Sequence, residues 1–184
     1  MHLRLLFQKN LPMKIFKKNQ KIYAKTKEVF GNPLMGYAPC AWNESVRKDV
    51  TLLYMDITWA ELEPEEGKYN FEWLDKSIAL AEKYGLKVVL CTPSPTPPVW
   101  LTEKHPDVLI ANEMGVSIQH GRRQHASWSS AVYRDYVSNI VTRLAKRYGN
   151  HPAVIGWQID NEPGHYGKMD YSDNAQKQFR IWLK

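Results

Sequence analysis

The run Val154-Ile-Gly-Trp-Gln-Ile-Asp-Asn-Glu-Pro163 is apolar until it ends abruptly in Asn161-Glu162, a pair that no folding rule requires. A carboxylic acid at the end of a buried strand suits proton transfer near neutral pH, provided apolar neighbours raise its pKa. Trp157, Ile159 and Pro163 are placed to be those neighbours. The plainer alternative is that Asn161 and Glu162 cap a following helix. Asp160 is a second carboxylate in the same string, but residues i and i+2 of one strand point to one face. Two carboxyls launched from one face cannot flank a reacting carbon from opposite sides, so Asp160 reads as buried and structural.

These groups need a scaffold, and from Gly31 onward short apolar runs alternate with amphipathic stretches. Met35–Pro39, Leu52–Asp56, Leu86–Cys91 and Val154–Ile159 are predicted strands. Phe71, Leu74, Ile78 and Ala81 form one helical stripe over 71–84, and Gly85 stops that helix. Ser130 caps a second helix running to Tyr148, with Val137, Ile140, Val141 and Leu144 on its apolar face and Gly149 closing it. A last helix starts near Asp173 and includes Phe179, Ile181 and Trp182. Pro64 to Gly67 is a turn, and Thr92-Pro-Ser-Pro-Thr-Pro-Pro98 forbids any ladder or helix.

Strands alternating with helices at this spacing mean βαβ units and parallel pairing, an α/β fold. Doubly wound sheets and (βα)8 TIM barrels share that pattern, and no Gly-rich phosphate loop follows a strand to favour nucleotide binding. The unusual residues, Asp56 to Trp59, Thr92 to Trp100 and Asp160 to His165, all follow carboxyl ends of strands, where barrel active sites are built. A whole barrel takes eight strands and about 250 residues, so the expectation is the first four βα units.

Composition adds bounds. Residues 1–28 hold eight Lys or Arg against the single acid Glu28, leaving 17 basic and 18 acidic residues elsewhere, so the net charge of +6 belongs to an amino-terminal arm. Residues 1–30 read as a poorly ordered basic extension, and 31–184 as the folded part. The arm lacks the aromatic interleaving of a nucleic-acid site, so no nucleic acid is expected. Leu3–Phe7, interrupted by Arg4, is too short for a secretory core, and no long apolar window predicts a membrane span. A cytoplasmic location is the expectation. Cys40 and Cys91 match no metal-ligand spacing and read as free thiols.

Trp59-Ala-Glu-Leu-Glu-Pro-Glu-Glu-Gly-Lys-Tyr-Asn-Phe-Glu-Trp-Leu-Asp75, Thr92 to Leu101, Arg134 to Glu162 and Gln178-Phe-Arg-Ile-Trp-Leu-Lys184 resemble the family 42 glycoside hydrolases, the β-galactosidase family. The Gly-Trp-Gln-Ile-Asp-Asn-Glu string is the most specific part of the likeness. The resemblance implies a retaining β-glycosidase acting on terminal β-galactosides. Glu162 would be its general acid/base, Asn161 would contact the hydroxyl beside the anomeric carbon, and the nucleophile would be a Glu of a late strand beyond Lys184. Arg123, in Gly121-Arg-Arg-Gln-His125, matches the family's substrate-binding Arg, with Gln124 where the pattern has a further Arg. Trp59 is the expected sugar-stacking ring, with Trp100 and Trp128 as alternatives.

Many members of the family hold a zinc on four cysteines, but the matching positions here are Ser127, Tyr171, Asp173 and Gln176. None offers a thiolate, so neither that zinc nor any cofactor is expected. Two rival readings remain: an inactive carbohydrate-binding remnant of a barrel, and a same-clan glycosidase for mannosides, glucosides or fucosides. A half barrel leaves two unpaired sheet edges, which favour pairing or aggregation, and a homo-oligomer of the complete protein stays open.

Overall fold

The structure is a computed structural model that describes residues 52–121, 123–162 and 169–184. The basic arm, the predicted strand Met35–Pro39, Cys40, the short stretch Asn43–Asp49, and Pro163 and His165 lie outside the described residues. No helix among the described residues is long and apolar enough to cross a membrane.

Three parallel strands, β1 (Leu52–Met55), β2 (Lys87–Cys91) and β3 (Val154–Gln158), form a sheet in the order β1-β2-β3. Each pair is joined by a helical crossover. Between β1 and β2 come α1 (Trp59–Leu62) and α2 (Glu72–Lys83); between β2 and β3 come α3 (Val99–Lys104), a 3-10 turn (Pro106–Val108) and α4 (Ala131–Tyr148); α5 (Asp173–Trp182) follows β3. The predicted elements that fall on described residues are therefore present, with ends within about two residues of those expected.

The pleat sorts the side chains into two faces. Leu53 lies opposite Val88 and Met55 opposite Leu90, and all four are buried against Leu74, Ile78 and Ala81 of α2 and Ile140 and Leu144 of α4. At roughly 1.5–3 kcal/mol for each fully buried large aliphatic side chain, this single face carries most of the apolar stabilisation. Tyr54, Val89, Cys91, Gly156 and Gln158 alternate onto the other face, and none of them belongs to the apolar cluster packed with the helices. A doubly wound sheet is covered on both faces, whereas an arc of a (βα)8 barrel is covered only outside. The fold is the barrel arc that the strand-end residues predict.

Local details depart from the expectation in instructive places. Gly85 stops α2 with a left-handed φ of +68, while Gly149 is right-handed at φ −60, ψ −27, so only the former acts as a left-handed stop. Ser130 caps α4 by accepting from the Tyr133 N–H at 3.3 Å. In α5 the predicted apolar residues are all exposed, Trp182 at 78%. The short helices α1 and α3 were unpredicted because four and six residues are too few to display a period.

α2 and α4 are also tied by charge. Arg147 donates Nε and Nη2 to the two Asp75 oxygens at 2.8 and 2.5 Å, and the Tyr148 hydroxyl donates to Oδ1 at 2.8 Å. These bonds, the Arg147 pair first, hold the Asp75 carboxyl below the usual carboxylate range. A depressed folded pKa contributes stability that is complete above the unfolded value of about 3.9 and is lost as pH falls through the folded one. Arg147→Met should therefore narrow the stability gap to the parent only below about pH 4, as read from urea midpoints across a pH series. A gap that instead widens on acidification refutes the coupling.

Candidate active site

The carboxyl ends of β2 and β3 are joined by more than the ladder. Beyond the last strand pair, the Thr92 N–H still donates to the Gln158 carbonyl at 2.9 Å. The chain then cannot continue as sheet, because Pro93, Pro95, Pro97 and Pro98 supply no N–H. Thr92 stands just before the first of those prolines and Ser94 between Pro93 and Pro95. Their side chains hydrogen-bond at 3.1 Å, Ser94 Oγ donates to Asp160 Oδ1 at 3.2 Å, and the Asp160 N–H donates to Thr92 Oγ1 at 2.8 Å. All three residues are buried. Tyr133 closes the knot from α4 by donating its hydroxyl to the Ser94 carbonyl, and Trp128 packs edge-on against Tyr133 at 5.1 Å.

Among the described residues, the non-glycine positions with positive φ are Gln124 (+56), Asp160 (+56) and Glu162 (+51). Left-handed backbone at such residues costs on the order of 1–3 kcal/mol each and persists only where surroundings enforce it. All three positions meet at one place. The Gln124 N–H donates to the Pro95 carbonyl at 2.8 Å, and its side-chain Nε2 donates to the carbonyls of Asn161 and Glu162 at 2.6 and 2.7 Å.

This geometry corrects part of the sequence reading. β3 ends at Gln158, so residues 160–162 are not a strand and the same-face relation of Asp160 and Glu162 does not hold. Asp160 is nevertheless buried with its carboxyl engaged by Ser94, as a structural role requires. The helix-cap alternative fails for α5, whose cap is Ser172, accepting from the Ala175 N–H at 3.3 Å. The apolar surroundings expected for Glu162 are also differently placed: Trp157 pairs with Leu90 and packs on the core beneath the helices, while Ile159 is 82% exposed.

Asn161 is 7% exposed. Its Oδ1 accepts from Gln158 Nε2 at 3.2 Å, and its Nδ2 is enclosed without an acceptor among the described residues. A buried donor left unmatched costs about 1–3 kcal/mol, so its natural completion is a ligand oxygen. Glu162 is half-buried beside it. Arg123 lies near enough to the end of β2 for its charge to pull the Cys91 thiol downward. That thiol is pushed up to about 11, chiefly by burial and further by Asp56, against opposing pulls from Tyr54 and Arg123. At neutral pH it is protonated and no nucleophile.

Trp59 does not join this group. It opens α1 fully buried, with Nε1 donating to Glu63 Oε2 at 2.8 Å, so no ligand can stack on it. Trp100 is likewise a packing residue, bonded to the Glu63 carbonyl and edge-on to Tyr136. Trp128, 47% exposed beside Tyr133, is the ring that remains available. Sequence reasoning missed Thr92, Ser94, Gln124 and Tyr133; the alternation of hydroxyls with prolines in 92–95 was the one local sign.

Comparison with known proteins places this arrangement. The family 42 glycoside hydrolase model, described as Beta-galactosidase, matches residues 43–184. The beta-galactosidase BbgII of Bifidobacterium bifidum is 40% identical over 158 residues, covering 80% of this chain and 23% of its own length. A Thermus thermophilus beta-galactosidase is 43% identical over 149 residues, 78% of this chain and 23% of the relative. Among solved structures, the cold-adapted beta-galactosidase of Rahnella sp. R3 aligns with a TM-score of 0.71 at 34% identity, over 94% of this chain and 22% of that one. The polyextremophilic beta-galactosidase of Halorubrum lacusprofundi aligns at 0.67 and 40%, over 71% and 20%. The chain thus spans less than a quarter of the length of these relatives.

The knot at the strand ends makes one stability prediction. Ser94→Ala removes the hydroxyl that meets both Thr92 and the buried Asp160 carboxyl, and should cost about 1–3 kcal/mol, seen as a lower urea midpoint at unchanged slope. A midpoint equal to the parent's would show that the knot contributes nothing.

Proposed function

The chain belongs to the family 42 glycoside hydrolases, and we propose that it supplies the acid/base side of a retaining β-galactosidase active site. The observation that carries the reading is the Asn161-Glu162 pair itself. It presents an enclosed amide donor without an acceptor among the described residues, beside a half-buried carboxyl, on backbone held in a costly conformation at the strand ends. The relatives named above are beta-galactosidases, which supports a β-galactoside as the substrate.

In this reading the Glu162 carboxyl gives its proton to the glycosidic oxygen as the bond from that oxygen to the anomeric carbon breaks. A carboxylate on the opposite side of the sugar forms the new bond to that carbon, making a glycosyl ester. Glu162, now a carboxylate, then takes a proton from water, whose oxygen displaces the ester and regenerates both groups. Asn161 Nδ2 donates to the 2-hydroxyl, an interaction that strengthens as the oxocarbenium-like transition state forms. Arg123 orients a sugar hydroxyl or the opposing carboxylate with its fixed fork of donors. Trp128 takes the stacking role first assigned to Trp59.

The opposing carboxylate is not Asp160, which is occupied by Ser94. We assign it to the part of the fold that these 184 residues do not span. Two measurements test this. In the full-length protein, Glu162→Gln should lower kcat/KM for an alkyl β-galactoside by about 10²–10⁴-fold, and affect a dinitrophenyl β-galactoside far less, since that leaving group needs no proton. The 184-residue chain alone should show no Glu162-dependent turnover. Equal losses on both substrates, or Glu162-dependent turnover by the short chain, would overturn the assignment.

A further inference from the structure

We infer that Gln124 is a positioning residue for the acid/base carboxyl, clamping two consecutive carbonyls so that Glu162 is aimed. This rests on the acid/base reading of Glu162 and deepens it. The single side-chain nitrogen of Gln124 carries two N–H groups, and the structure uses both on the Asn161 and Glu162 carbonyls at 2.6 and 2.7 Å. Two successive carbonyls converge on one donor only because the backbone is left-handed on both sides of Asn161, at Asp160 and at Glu162. An extended chain would point them to opposite sides.

The clamp fixes the peptide planes on either side of the Glu162 Cα, and therefore the direction in which its side chain leaves the backbone. Gln124 is itself held for the task. Its own φ is +56, its N–H is bound to the Pro95 carbonyl at 2.8 Å, and Pro95 follows the Ser94 that holds Asp160. The crossover between β2 and β3 thus grips the chain after β3 at two points, Ser94 on Asp160 and Gln124 on Asn161 and Glu162.

Side-chain chemistry at position 124 is restricted accordingly. Glutamate would set a carboxylate against two carbonyl oxygens, asparagine is one methylene too short to keep both contacts, and methionine matches the length but donates nothing. Arginine keeps paired N–H donors at that reach and adds a charge near Glu162.

The test compares leaving groups in the full-length protein, because aim matters only where a proton must be delivered. Gln124→Met should lower kcat/KM for an alkyl β-galactoside by about 10- to 100-fold, part of the acid's full contribution, and leave that for the dinitrophenyl substrate within about threefold. Gln124→Asn should behave alike, which covers the case that the methionine variant does not fold, and Gln124→Arg should regain at least half of the logarithmic loss. Parallel losses on both substrates would show a merely structural residue and overturn the inference, as would no loss on either. Glu162→Gln, measured alongside, separates the two proposals. If it shows the leaving-group contrast and the Gln124 variants do not, positioning alone is wrong; if it shows none, the acid/base reading falls and takes the inference with it.

Discussion

The hydrogen bonds between the Thr92–Ser94 segment and Asp160 hold the end of β3 in a shape it would not take alone. An aspartate at φ +56 is strained, and it stays there because its N–H and its carboxyl are each met by a hydroxyl from the neighbouring strand end. Once Asp160 turns left-handed, the chain can present Asn161 and Glu162 to one side. The prolines around Thr92 and Ser94 complete the arrangement, since a segment that cannot pair as sheet leaves its hydroxyls free for this work.

The sheet makes this possible by being one-sided. Leu53, Met55, Val88 and Leu90 pack against helices, while Tyr54, Cys91 and Gln158 face away from them. Stability and chemistry thus occupy opposite faces of the same three strands. Gln158 connects them to the site, ending the ladder with its carbonyl on Thr92 and using its amide to hold Asn161 Oδ1. The amide orientation this imposes leaves Asn161 Nδ2 without an acceptor among the described residues.

What the sequence disclosed follows from the range of each interaction. The stripes of α2 and α4 and the strands β1 to β3 are local patterns of apolar spacing, and burial of Leu74, Ile78, Ile140 and Leu144 confirms them. The Asn161-Glu162 pair stood out because it interrupts such a pattern. Trp59 misled because a tryptophan after a strand looks the same in sequence whether its ring faces a ligand or, as here, turns into the core to bond Glu63. Gln124 was invisible for the opposite reason. Its partners lie 37 and 38 positions away, and nothing in the residues around it encodes two carbonyls waiting there. Asp160 was assigned its buried role from a strand geometry that ends two residues earlier, so the role survives while the reason changes.

The engagement of Asp160 also bears on how the labour of the site is divided. Carboxyls that cooperate in retaining glycoside hydrolysis sit about 5–5.5 Å apart across the reacting carbon. One fixed through Ser94 to the loop after β2, and only two residues before Glu162 in the chain, cannot cross to the far side. The Cys91 thiol is nearby but protonated, and the Tyr54 hydroxyl beside it is held well above its ordinary range by burial and by Cys91 and Asp56. Neither is available as an anion at neutral pH. On the proposed function, the rim formed by β1 to β3 gives and takes a proton and grips hydroxyls, and the bond to carbon is made from elsewhere in the barrel. The same proposal gives a reason for concentrating so much constraint on three residues, because a lone acid has to be aimed at a reaction centre whose other boundary is set by distant strands.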